Sequence, residues 1–194
     1  MYYHGVVNGL VNEKVIKILE CGEISSSSRM GVSKRIGFNE NDYISVCVNL
    51  GEDVYKEHPN NAFNKYIVNH FCFVIDDSVD AYKTEYIPDA EKMNILDLYR
   101  LRSCNPDKRF SDIIDEYQIK SCIPLDKVIA IGIPYSLEEN DGYIKLSNYC
   151  FLTRDEFDEL IRQVEEKAHD IGLKVVDSSS EDFCSMFDRN KMVR

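Results

Sequence analysis

The chain is 194 residues long, enough for one domain with a real core and no need of disulfides or metal to hold it. It is 44% hydrophobic and 29% charged, without an apolar run long enough to cross a bilayer or the basic-then-apolar start of a signal peptide, so a cytoplasmic protein is expected. A formal net charge of -11 repels phosphate and removes the counterion-release gain on which nucleic-acid binders rely.

The first residues, MYYHGVVNG, read as a strand running into a turn. Asn12 is placed to cap a helix in which Val15, Ile16 and Leu19 recur at helical spacing, and Gly22 stands where a helix end favours a left-handed residue. SSSSRMG (25 to 31) and GFNEND (37 to 42) read as loop. In YISVCVN, Ile44, Val46 and Val48 alternate with Ser45, Cys47 and Asn49, the pattern of a half-buried strand. Residues 56 to 70 are ambiguous, whereas FCFVI (71 to 75) is the short apolar run of a strand covered on both faces.

The stretch from 76 to 110 is polar and Tyr-rich, a long functional loop with a short helix expected around Glu91 to Leu101. EYQIKSCI then puts Tyr117 and Ile119 on one face and Glu116, Gln118 and Lys120 on the other, and a PLD turn leads into a second strand, VIAIGI. TRDE at 153 to 156 is a capping box, opening a helix whose stripe is Phe157, Leu160, Ile161, Val164, Ala168 and Ile171. A last strand, LKVV (173 to 176), and a partly ordered tail, 178 to 194, complete a single domain over 1 to 194.

Seven scattered cysteines without a CxxC read as reduced thiols in apolar places, and the four histidines make neither HExxH nor HxH spacing, so no metal site is expected. Arg100, Arg102, Lys108 and Arg109, with Lys34 and Arg35, read as solvated cations on an acidic protein. The glycine-built phosphate cradles GxGxxG and GxxxxGK[ST] are absent, as is the nucleophile elbow GxSxG. A nucleotide, if handled, is handled by other means.

What the sequence does contain is a spaced set: His4-Gly5 at the end of the first strand, Tyr43 at the start of another after a polar loop, and Glu116 opening a late strand. YYHGVVNGLVNEKVIKILECGEI and DEYQIKSCIPLDKVIAIGIP resemble the opening and closing patterns of the ADP-ribosyltransferase superfamily, in the branch of poly(ADP-ribose) polymerases, diphtheria-type toxins and DNA-targeting toxins. The resemblance covers roughly residues 2 to 133. It implies an α+β fold with a split-sheet core and a few flanking helices, and NAD as the substrate.

Cutting the nicotinamide-ribose bond develops oxocarbenium character, which a carboxylate beneath the sugar stabilises. The resemblance gives that role to Glu116, which would accept from the ribose 2'-hydroxyl. It gives His4 an adenosine-side ribose hydroxyl, the Gly5 backbone the nicotinamide carboxamide, and Tyr43 the nicotinamide ring, with Tyr55 in reserve. Arg29 would neutralise the pyrophosphate. Ile114 stands two residues before Glu116, where arginine-modifying enzymes carry Glu or Gln, so the expected acceptor is another protein side chain or a small molecule. Two other outcomes are an inert module that binds NAD or ADP-ribose and an enzyme like the tRNA 2'-phosphotransferases; the scarcity of basic clusters counts against the latter.

Overall fold

A computed structural model describes residues 1–7, 11–26, 29–30, 42–58, 61–83, 85–86, 94, 96–97, 108–109, 115–134, 137, 139–147, 150–178 and 183. In chain order the elements are β1 (Tyr2–Gly5), α1 (Val11–Cys21), β2 (Glu23–Ser25), β3 (Tyr43–Cys47), α2 (Glu52–Glu57), α3 (Ala62–Tyr66), β4 (Cys72–Ile75), β5 (Ala81–Lys83), β6 (Glu85–Tyr86) and β7 (Lys108–Arg109). They continue as β8 (Glu116–Lys120), β9 (Cys122–Pro124), β10 (Val128–Ile133), β11 (Glu139–Asn140), β12 (Tyr143–Ser147), β13 (Cys150–Thr153), α4 (Arg154–Asp170) and β14 (Lys174–Asp177).

The fold is mixed α+β, built on a seven-stranded sheet in the order β14-β10-β4-β1-β3-β8-β5. Its pairings are antiparallel except that of β10 with β14. Strand alternation divides the side chains between two cores. Val15 and Leu19 of α1 and Phe157, Leu160 and Val164 of α4 pack with Ile44, Val46, Phe73, Ile119 and Ile131 on one face. On the other, Tyr55 of α2 and Phe63 of α3 join Tyr3, Cys47, Val74 and Ala130. β4 is buried at all four positions, as its unbroken apolar run requires.

Helix α4 begins as its sequence dictates: the Thr153 hydroxyl accepts from the Glu156 amide, and the Glu156 carboxylate accepts from the Thr153 amide at 2.8 Å. Gly22 takes φ 76 after α1. Other expectations change. Asn12 is not a cap, because α1 already starts at Val11. EYQIKSCI is two strands: Ser121, at φ 71, turns the chain, so that β8 joins the main sheet while β9 pairs with β2. The ambiguous stretch around residues 56 to 70 contains the end of α2 and all of α3, whose Asn61 cap accepts from the Asn64 amide at 2.7 Å.

The three-stranded sheet β11-β12-β13 had no counterpart in the sequence reading. Its first hairpin turns on Asp141 and Gly142, both at positive φ, the usual chemistry of a two-residue hairpin. The last strand runs 174 to 177 rather than 173 to 176. The helix expected around 91 to 101 and most of the tail lie outside the described residues, though Phe183 is buried in the second core. Among the described residues there is no disulfide, no group of metal-ligating side chains, and no helix long and apolar enough to cross a membrane.

Candidate functional site

The centre of interest is where β1 meets β3. β1 pairs with β4 at four positions, Tyr2 through Gly5, but with β3 only through Tyr3 opposite Cys47. The two strands therefore part beyond that bridge, on the side where Gly5 and Ser45 would otherwise have been partners. The Val6 amide donates to the Phe71 carbonyl at 2.8 Å, so by strand alternation the backbone edge of Gly5 is turned toward β3 and the parting. A glycine followed by a break in a ladder leaves a main-chain edge facing a gap.

His4 spans that gap. Its Nδ1 lies 2.8 Å from the Ser45 carbonyl oxygen, which makes Nδ1 the protonated donor and leaves Nε2 an acceptor. Burial lowers the His4 pKa and the Lys14 ammonium adds to this, against the opposing effect of the Ser45 bond. The ring is therefore neutral near pH 7. Its approach to Lys14 of α1 places it on the α1 and α4 side of the sheet.

Glu116 opens β8 opposite Cys47, which is itself opposite Tyr3. The three stand in one row, and residues so paired project to the same face, here the α2 and α3 side. Burial first, then the Glu116 and Asp115 carboxylates, push the Cys47 thiol well above its ordinary value, so Cys47 is an inert neighbour rather than a nucleophile. Asp115 is fully buried. Its Oδ2 accepts from the Phe63 amide at 2.9 Å, and its carbonyl accepts from the Val48 amide at 2.8 Å. One residue thus fastens the start of α3 and the end of β3 to the strand that carries Glu116.

His4 and Glu116 consequently project from opposite faces. A ligand lying flat on either face touches one of them; to touch both, it would have to enter between β1 and β3 and reach across β3 to Glu116 on β8. The remaining expected residues fall as follows. Tyr43 shares the Glu116 face but stands four residues along β3 from the Cys47 row, about 13 Å away, with its ring edge-on to Tyr82 at 6.3 Å.

Tyr55 is buried, its hydroxyl donating to the Val48 carbonyl and accepting from the Leu50 amide, and one face of its ring stacks on Phe63 at 5.6 Å. Arg29 forms two hydrogen bonds to Glu23, at 2.7 and 3.0 Å. The Ser25 hydroxyl first, and Arg29 with it, hold the Glu23 carboxyl below the usual range. Glu23 belongs to β2, which pairs with β9. Gly5 also has a packing reason to be glycine: a Cβ there would fall 1.8 Å from the Tyr66 carbonyl oxygen, so α3 covers it on the Glu116 side.

Sequence reasoning missed two residues. Ser45 is exposed, projects to the Glu116 face one row from the bridge, and supplies the carbonyl that holds His4. The alternation of YISVCVN had set it on the polar side without giving it a partner. Asp115 could be read only as a second acid beside Glu116. Comparison with models of known families, with curated proteins and with solved structures finds no match to this chain.

Proposed function

We propose that the protein is an NAD-dependent mono-ADP-ribosyltransferase, with NAD entering the parting between β1 and β3 and nicotinamide leaving as ADP-ribose passes to a protein side chain or a small molecule. The observation that carries this reading is the single bridge between β1 and β3, with the Gly5 edge facing the gap beyond it and Glu116 in the row of that bridge. A carboxamide can pair with a main-chain edge as a neighbouring strand does. Glu116 then acts on the ribose: it accepts from the 2'-hydroxyl and stabilises the positive charge that grows as the glycosidic bond lengthens. His4, neutral and held by Ser45, presents Nε2 as an acceptor, so its contact with a ribose hydroxyl is one it receives rather than donates. The resemblance at residues 2 to 24 and 115 to 134 supports the same assignment.

A second reading is an inert relative that binds NAD or ADP-ribose without turnover. It is favoured by the bond from His4 to Ser45 across the gap and by the Tyr66 carbonyl over Gly5. One experiment separates the two: incubation with NAD labelled in the adenylate moiety, in a lysate, with nicotinamide release followed in parallel. The transferase reading predicts release and a labelled acceptor. It also predicts that Glu116→Gln lowers release by about 100- to 1,000-fold, the scale of losing one transition-state contact, while NAD affinity stays within about two-fold. Binding without release supports the inert module, and absence of both removes the two readings together.

A further inference from the structure

A groove of about 430 Å³ runs between α1 and α4, on helices that the nucleotide reading does not use. Its apolar part is Ile16, Leu152 and Leu160, all packed against the main core. Its polar rim carries Glu13, Glu20, Glu156 and Glu159; Lys17 is the cation among the lining side chains, and Lys167 and Arg162 pair with Glu20 and Glu159 from outside it.

The rim has more acceptors than donors. Glu13 bonds Lys17 through Oε2, Glu20 bonds Lys167 through Oε1, and Glu156 spends Oε2 on the Thr153 cap, which leaves the second oxygen of each without a donor among the described residues. The Asn12 amide oxygen, at the same groove, is buried without a hydrogen-bond partner among the described residues. Glu159 is different: Arg162 and Gln163 occupy both its oxygens and hold its carboxyl down to about 2.

The trough is apolar along its floor and acidic along its solvent-facing rim, so the complementary occupant is apolar along one line and carries cationic donors along its flank. Glu13 and Glu20 are seven residues apart on one helix, about 10 Å, which is also the spacing of side chains two turns apart on a partner helix. We propose that this groove docks a basic amphipathic helix of another protein, with its leucine-type stripe on Ile16, Leu152 and Leu160 and its lysines or arginines on Glu13 and Glu20. The net charge of -11 draws such a partner from a distance, and the apolar stripe sets its register.

The test uses the full chain and a fluorescent, amidated peptide of about 14 residues, with leucines at helical spacing and lysines two turns apart. Its control has the same composition, scrambled so that no face forms. Anisotropy at low salt should show the patterned peptide binding at least about ten-fold more tightly than the scramble, with affinity falling as salt is raised. The double substitution Glu13→Lys with Glu20→Lys, at two half-exposed positions, should weaken binding about ten-fold while far-UV circular dichroism stays unchanged. A photo-cross-linker at the peptide centre gives a reading on the wild type that needs no variant, with adducts expected within 12 to 20 and 152 to 163. Equal binding of patterned and scrambled peptides, an unaffected double variant, or cross-links elsewhere would overturn the proposal.

Discussion

His4 illustrates how a single side chain can hold two strands where their ladder fails. Its Nδ1 replaces the main-chain donor that Ser45 would otherwise have met, and burial of the ring lowers its pKa. Because its pKa is lower folded than unfolded, the unfolded chain takes up the proton first as pH falls, and stability rises with pH across that window. His70 is shifted the same way, mainly by burial. Urea unfolding between about pH 5.5 and 7.5, above the range of the carboxylates, should therefore show stability falling toward the acid end. His4→Gln should make that fall shallower and leave the share due to His70. A slope identical to wild type would mean that His4 is not withheld from its proton.

At the scale of elements, what could be read from sequence depended on whether the signal was local. The α4 cap and stripe lie within 20 residues of one another, and Thr153, Glu156 and Phe157 act as their order suggests. Thr153→Ala should cost about 1 kcal/mol, the usual worth of a cap, read as a lowered midpoint in thermal or urea unfolding; no change would show that the box is not made in solution. The Glu116 face was legible too, because period-two alternation fixes which residues share a side once a strand exists. The parting of β1 from β3 was not legible. It depends on pairing between residues about 40 positions apart, which no local pattern encodes. For the same reason the sequence could place His4 and Glu116 on strands but not on faces relative to one another.

For the whole molecule, two cores on either side of one sheet give the thiols distinct degrees of protection. Cys21 is exposed, Cys122 half-buried, and Cys47, Cys72 and Cys150 buried. Among these five thiols, brief alkylation of the native protein should modify Cys21 first and leave Cys47, Cys72 and Cys150 untouched until global unfolding, read by peptide mass mapping; early labelling of Cys47 would show that the α2 and α3 side opens locally. The account as a whole turns on whether NAD enters beside that same thiol, between β1 and β3. Backbone amide shifts followed by NMR during titration with NAD, to about 1 mM, test this most directly. The predicted result is saturable movement of Gly5, Ser45 and Glu116 together. Shifts confined to other elements, or none at all, would contradict it.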